Sequence, residues 1–237
     1  MKLKIYLTTL GLSLSILFGS VDTLHYDLTI FGIKCGEISY LYPQNNQLFI
    51  TTYSTGIVDY IFPFKNDYNT TFDTSFYGVK HYNKIIRQGE FKQRLDGKWD
   101  AASKMFEYEK LASFQRPDSC MNLFTFFARV NKERGDMLDT QWFPVEHEGN
   151  LFKSRVLIAD TVTMESRGLS VLCNHFRFDL IPLNDQIKML DRSDYFSQNI
   201  IRPEAIKQIW VEQNNPRRIM KASVQIGPIS ITATLKQ

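Results

Sequence analysis

Hydrophobic and polar residues alternate along most of this chain. Near the start of the alternating region, apolar side chains occupy every second position, at Leu24, Tyr26, Leu28 and Ile30. A period of two is typical of a β-strand that buries one face. Comparable stretches cover residues 33–42, 48–53, 68–76, 79–87, 90–95, 105–108, 138–145, 151–158, 161–167, 172–181, 205–212, 217–226 and 229–235. The pattern therefore predicts a mainly β protein.

One segment near the middle, residues 119–130, departs from this period. Its apolar residues fall at positions 120, 123, 124, 127 and 128, which is the spacing of one helix face. Asp118 precedes the segment and is the predicted N-cap, and Gly135 offers a stop. The alternative is a strand, because the run Phe-Thr-Phe-Phe is β-prone. We favour one amphipathic helix packed on the sheet.

Glycine, proline and one tryptophan suggest structural roles. Gly32 and Gly36 are expected to permit bends or bulges in the first hairpin. Gly227 and Pro228 are expected to form the last tight turn, within an antiparallel meander of the last three strands. Trp210 is expected to anchor the core where that meander begins.

The number and spacing of the predicted strands indicate the architecture. There is no long linker, internal repeat or low-complexity tract in the sequence. A parallel α/β fold would need helices that alternate with the strands, and the sequence lacks that alternation. We therefore expect one domain over residues 21–237, built as a curved antiparallel sheet or a β-barrel-like sheet with one helix.

The first twenty residues have the pattern of a secretory signal peptide. Lys2 and Lys4 precede an apolar stretch from Ile5 to Phe18, and small residues follow at Gly19 and Ser20. The stretch is shorter than the ~20 residues of a spanning helix. We predict a signal peptide over residues 1–20, and the alternative is an uncleaved apolar anchor. A cleaved chain would be exported, to a bacterial periplasm or outer envelope.

Charge and cysteine content narrow the possible functions. The 237 residues carry a net charge of +3, and loss of two N-terminal lysines would reduce it to +1. A dedicated nucleic-acid binder usually has a strong basic surplus, so no nucleic-acid partner is expected. Cys35, Cys120 and Cys173 show no C-x-x-C spacing, and they leave either one disulfide or none.

The sequence contains no recognisable catalytic motif. It lacks both a G-x-S-x-G elbow and an H-E-x-x-H metal motif. His147 and Glu148 are interpreted as part of a surface loop. Cys173 and His175 could share a strand face as a dyad, but an ordinary strand is the better interpretation. We predict no catalytic residue, cofactor or metal ligand.

Aromatic residues suggest a function of another kind. They crowd one short stretch of the chain, at Tyr53, Tyr60, Phe62, Phe64, Tyr68, Phe72 and Phe76. Core packing explains most of them, and the alternative is a cavity for a ligand, as curved or barrel-like sheets can enclose.

Three sets of residues also resemble a known family. The first set is Leu24 and Tyr26, followed by residues 31–37. The second is Asp118 with the predicted aromatic helix, which ends in residues 128–130. The third comprises residues 209–211, 217–219 and 227–235. Their order resembles the bacterial exported proteins of domain of unknown function 3108. The resemblance implies a mostly β envelope protein and adds no activity.

Three functional hypotheses follow. We favour non-enzymatic binding of a lipid or another apolar or amphipathic ligand, or of a protein partner in the envelope. An envelope hydrolase that acts on glycan or lipid is the second, and it needs titratable groups in a cleft. A structural scaffold without a small ligand is the third.

Overall fold

The computed structural model describes residues 23–44, 46–183 and 194–236, so the predicted signal peptide lies outside the described residues. The described residues form one sheet of fifteen strands, as the alternation predicted. The strands are β1 Thr23–Ile30, β2 Ile33–Gln44, β3 Gln47–Ser54, β4 Phe64–Phe72, β5 Val79–Gln88, β6 Phe91–Asp100, β7 Met105–Tyr108, β8 Phe114–Gln115, β9 Met121–Asn122, β10 Phe143–His147, β11 Asn150–Ser166, β12 Leu169–Pro182, β13 Ile206–Glu212, β14 Ile219–Ile226 and β15 Ile229–Leu235.

The order of the strands shows why the sheet curves. It runs β8-β7-β6-β5-β4-β3-β2-β1-β15-β14-β13-β12-β11-β10-β9, so β8 and β9 form its two edges. Fifteen strands in a flat sheet would extend over roughly 65–70 Å. Only residues 116–120 join β8 to β9, and such a link spans at most about 20 Å. The sheet must therefore curl until its edges approach, although it does not close.

Arg116 fills the space between the two edges. It is 3% exposed, and its guanidinium donates hydrogen bonds to the carbonyl oxygens of Val79 (2.5 Å) and Cys120 (2.8 Å). The same guanidinium lies over the rings of Trp99 and Phe106, at 4.4 and 4.5 Å from their centroids. Charge-assisted and cation–π contacts thus hold the linking segment against β5, β6 and β7.

The pairing is antiparallel except between β9 and β10, which run parallel. The expected meander of the last strands is present as β13, β14 and β15. The segment 138–145, predicted as a strand, instead contains the end of a short helix and the start of β10.

In the described part of the chain, four helices accompany the sheet, and only one of them exceeds two turns. They are α1 Ile57–Ile61, α2 Leu123–Lys132, α3 Gly135–Leu138 and α4 Tyr195–Ile201. Helix α2 is the one that the sequence predicted. Its Phe126 ring stacks on Phe178 of β12 at 5.0 Å, and its Phe124 ring contacts Tyr68 of β4 at 4.6 Å. The helix therefore lies inside the curve and contacts both halves of the sheet.

The start of α2 corrects one expectation from the sequence. Asp118 is not the N-cap, because Asn122 takes that position and the helix begins four residues later than predicted. The Asn122 side chain accepts from the Thr125 amide at 2.9 Å, and the Thr125 hydroxyl accepts from the Asn122 amide at 3.1 Å, which completes a capping box. The Asn122 amide group also donates to the Thr70 hydroxyl of β4 at 3.2 Å.

Candidate functional site

A cavity of about 180 Å³ lies between the concave face of the sheet and the two helices α2 and α4. Its wall includes side chains of β1 to β4 and of β12 to β15. The alternation along each strand explains this wall, because every second side chain points into the curve. On β13, for example, Lys207 and Ile209 are buried and line the cavity, whereas Ile206 is exposed.

Most of the wall is apolar. Leu28, Ile50, Ile209 and Ile231 come from the sheet, and Phe127 comes from α2. An apolar cavity of ~150 Å³ in another protein stays dry and binds small apolar molecules. A ligand that filled the space would gain contacts with this wall and would stabilise the folded protein.

Helix α4 covers the cavity from one side, and Asp194 fixes its start. The Asp194 carboxylate is fully buried and accepts from the amides of Phe196 (2.9 Å) and Ser197 (3.1 Å). Burial, together with the nearby charge of Asp194, raises the pKa of Tyr68 well above its usual value. This acid is therefore used as a helix cap.

Two further polar groups line the cavity without a full set of partners. The Asn131 amide group at the end of α2 donates to the Tyr40 hydroxyl at 3.2 Å, but its carbonyl oxygen is buried without a hydrogen bond. Lys207 is 4% exposed, and its ammonium donates to the carbonyl oxygens of Arg202 and Ala205, at 2.8 and 3.0 Å. Burial lowers the pKa of Lys207 to about 8.

A second polar region lies inside the same curved sheet, where the β10–β11 turn meets β5 and β7. This polar cluster comprises Tyr82, Lys84, Tyr108, Glu146, His147 and Glu148, and none of the six is more than 5% exposed. The surface loop expected for His147 and Glu148 is therefore wrong. The reason is that the curling of the sheet carries this hairpin turn into the interior.

The polar cluster holds its charges in close contacts. Lys84 forms an ion pair with Glu148. The Tyr108 hydroxyl lies 2.9 Å from both carboxylate oxygens of Glu146, and burial raises the pKa of Glu146 to about 7. Burial also lowers the pKa of His147, so its ring is neutral at neutral pH.

The described wall of the cavity does not have the layout of a hydrolytic site. Asp194 is the one carboxylate among the described residues of the cavity wall, and it caps a helix. In the described part of the chain, no group of three His, Cys, Asp or Glu side chains could hold a metal ion. The cavity therefore suits an apolar group, and its described wall has no paired titratable groups.

The three cysteines are free and buried. Burial raises the pKa of Cys120 to about 12 and that of Cys173 to about 11, so both thiols stay protonated at neutral pH. Cys173 lies in the main core, whereas the His175 ring stacks on Trp210 with centroids 4.4 Å apart. His175 is therefore engaged with a ring on the neighbouring strand.

The other sequence-predicted structural residues lie outside the cavity. Gly32 and Gly227 have φ values of +77° and +54° in two tight turns, and Pro228 follows Gly227. At Gly36 an added Cβ would lie 2.5 Å from the Tyr53 carbonyl oxygen. Trp210 does not anchor the core. It lies on the outer side of β13, where the Lys221 ammonium is 4.7 Å from its ring centroid.

The sequence analysis missed Lys207, Asp194 and Asn131. Lys207 carried a usable signal, because it alternates in phase with Ile209 and Val211, and a lysine at an inward position of a strand is unusual. Asp194 carried one as well, since an Asp just before a short apolar segment is a common N-cap. Nothing in the sequence indicates that these residues border a cavity.

Comparison with known proteins supports the fold and leaves the family open. Neither protein-family models nor curated proteins match the chain, so the resemblance to domain of unknown function 3108 is not confirmed. The chain is similar to the crystal structure of a β-barrel-like protein of domain of unknown function DUF1849 from Brucella abortus. That similarity has a TM-score of 0.60 at 8% identity and covers 91% of this chain and 95% of that chain. The fold is β-barrel-like.

A second solved structure aligns over a similar length. It is the hypothetical lipoprotein YmcC from Escherichia coli K12, with a TM-score of 0.35 and 10% identity, covering 92% of this chain and 87% of that chain. A similarity at this level carries no argument about fold or function. None of the described helices is long and apolar enough to cross a membrane.

Proposed function

We propose that this protein is exported to the bacterial envelope and binds an apolar or amphipathic ligand, such as a lipid chain, without catalysing a reaction. The observation that carries the proposal is the apolar cavity beneath α2 and α4. The basic and apolar N-terminal residues support export. The single carboxylate of the described cavity wall, committed to a helix cap, argues against the hydrolase hypothesis.

The cavity would bind a ligand mainly through the burial of apolar surface. Burial of apolar area contributes about 25 cal/mol per Å², so a chain of several methylene groups could bind without any specific polar contact. The wall is formed largely before the ligand arrives, because α2 is fixed to β4 through Asn122 and to β2 through Asn131. A preformed site keeps the entropic cost of ordering small.

The first experiment is native mass spectrometry of the protein purified from the membranes and periplasm of the cells that produce it. We expect a mature chain that lacks the predicted signal peptide and carries a bound molecule, which solvent extraction then identifies. A full-length chain in the cytoplasm would contradict export. A chain without any ligand, which also binds no apolar probe added in excess, would contradict the binding function.

A variant that fills the cavity tests its location. Ala233 and Ala222 face each other on β15 and β14, and both line the cavity. Ala233→Phe should fold and should lose both the native ligand and the rise in melting temperature that ligand produces in the wild type. Thr234→Phe is the matched control, since the neighbouring side chain is exposed on the other face of the same strand. Equal ligand binding by both variants would place the ligand elsewhere.

A further inference from the structure

Lys207 differs from the other polar groups of the cavity in how its charge is balanced. An ammonium group has three N–H donors, and the carbonyl oxygens of Arg202 and Ala205 accept two of them. No other acceptor contacts it in the described part of the chain. One donor is therefore unused, on a side chain that is 4% exposed and lines the cavity.

The two acids whose charges act on Lys207, Asp179 and Glu204, lie close to arginine side chains. Asp179 accepts from Arg155 at 3.0 Å and from Arg177 at 2.7 Å, so two guanidinium groups share its charge. Glu204 is exposed and lies 3.8 Å from Arg202. Within the described ranges no carboxylate lies within ion-pair distance of Lys207. A buried cation without a counter-ion is costly, by several kcal/mol in real proteins.

Asp194 does not supply the missing counter-charge. Its carboxylate accepts from the backbone amides of Phe196 and Ser197 at the N-terminal end of α4. The carbonyl of Arg202, which accepts from Lys207, belongs instead to the C-cap residue of the same helix. Among the described residues, the cavity wall thus contains one anion that caps a helix and one cation that has no counter-ion.

We infer that the ligand of this cavity is a single-chain amphiphile with an anionic oxygen head group, and that Lys207 binds this head group while the chain lies against the apolar wall. The inference rests on the proposed binding function and adds the class of ligand. A carboxylate or a phosphate monoester would accept the unused N–H of Lys207. The charge-assisted bond would form in apolar surroundings, where such bonds are strongest.

The test compares probes of equal chain length on the wild-type protein by isothermal titration calorimetry. The probes are octanoate, octyl phosphate, octan-1-ol and octylammonium. We expect the anion to bind about 10- to 100-fold more tightly than the alcohol, as for a hydrogen bond to a charged group. The cation should bind most weakly. A preference between octanoate and octyl phosphate distinguishes a fatty acid from a phosphorylated amphiphile.

Substitution of Lys207 separates ligand binding from a purely structural role. Lys207→Met keeps an apolar side chain of similar length and removes the charge, so it should abolish the preference for anions and leave the alcohol affinity within about twofold. Lys221→Met is the matched control, because it removes a lysine that lies against Trp210 outside the cavity wall. A lysine that only held α4 would affect all probes equally.

Each outcome supports or overturns the inference. Equal binding of acid and alcohol by the wild type, with both lost in Ala233→Phe, would overturn the anionic head group and retain the binding function. Failure of every probe to bind would overturn both proposals. If Lys207→Met does not fold, the comparison of probes on the wild type still tests the preference for an anionic head group, because it requires no variant.

Discussion

The interior of the curved sheet contains two regions of opposite character. The cavity beneath α2 and α4 is apolar and leaves space of about 180 Å³. The polar cluster beside it, around the β10–β11 turn, is buried and contains the Lys84–Glu148 ion pair. Both regions use inward-facing strand positions of one sheet, to which α2 and α4 add residues at the cavity and the β10–β11 turn adds Glu148 at the polar cluster.

The two regions contribute differently to the protein: the polar cluster mainly affects stability, and the cavity mainly affects ligand binding. Apolar residues that border a void contribute less than they would in a filled core, because a void removes contact partners from their surfaces. Buried charges, in contrast, need fixed partners, and removal of one partner strongly destabilises the folded protein. We therefore expect substitutions in the polar cluster to unfold the protein, whereas substitutions at the cavity mainly alter what it binds.

The largest effect is expected at Lys84. Lys84→Met leaves the Glu148 carboxylate buried beside an apolar group, and breaking a buried ion pair in this way typically costs about 3–5 kcal/mol. The free energy of unfolding, measured by urea titration, should fall by about that amount. Affinity for an apolar probe should stay unchanged, because Lys84 does not line the cavity.

The double variant Lys84→Met/Glu148→Gln is the control. It removes both charges, so it should recover part of the lost stability, and the double-mutant cycle should give a coupling of at least about 1 kcal/mol. If Lys84→Met reduces stability by less than about 1 kcal/mol, the ion pair is not sealed from water and the contrast between the two regions fails.

A matched pair of buried isoleucines compares a position that borders the cavity with one that does not. Ile86 of β5 is fully buried in the main core, whereas Ile209 of β13 is equally inaccessible but borders the cavity. Ile-to-Ala substitutions in cores cost about 2–5 kcal/mol. We expect Ile86→Ala in the upper half of that range and Ile209→Ala in the lower half, by urea titration in the absence of ligand.

Ligand should change this ranking. A molecule that fills the cavity gives Ile209 the contacts that it lacks in the empty protein. With a saturating apolar ligand, the cost of Ile209→Ala should rise toward that of Ile86→Ala. Equal costs without ligand would mean that the space beside Ile209 is occupied or collapsed in solution.

Local patterns in the sequence were sufficient to predict the fold class. Alternation identified most strands, because each strand has one face toward the curved interior and one toward solvent. Helix α2 was identified from its spacing, yet its start was misplaced by four residues. The sequence offered Asp118 as a cap, whereas Asn122 caps the helix through its local capping box with Thr125 and also bonds to Thr70, which is 52 positions away in the chain.

The candidate site was much less predictable. The burial of His147 and Glu148 depends on the curling of the whole sheet, and a local pattern of polar residues at a hairpin turn indicates a surface loop. Trp210 was assigned to the core because it is large and apolar, whereas the alternation with Ile209 and Val211 places it outside. The cavity is a property of packing between elements, so no local pattern could show that the space is hollow.

The pH dependence of stability gives the smallest expected effect and concerns Glu146. Burial raises the pKa of this carboxyl from 4.5 to about 7, so the folded protein binds a proton that the unfolded chain has released. Stability from this group is therefore present at low pH and is lost as the pH rises between about 4.5 and 7. Between pH 5 and pH 8 we expect a loss on the order of 2 kcal/mol relative to Glu146→Gln, which retains an oxygen for the Tyr108 hydroxyl.

The comparison with Glu146→Gln is essential because His147 acts in the opposite direction. Burial lowers the pKa of His147, so the folded protein gains stability as the pH rises toward the usual imidazole value. The two effects overlap in the wild type, and the difference between wild type and variant at each pH isolates the carboxyl. Urea titrations at four or more pH values provide that difference. A difference that does not change with pH would mean that Glu146 is ionised throughout, with Arg116 as the dominant influence on its pKa.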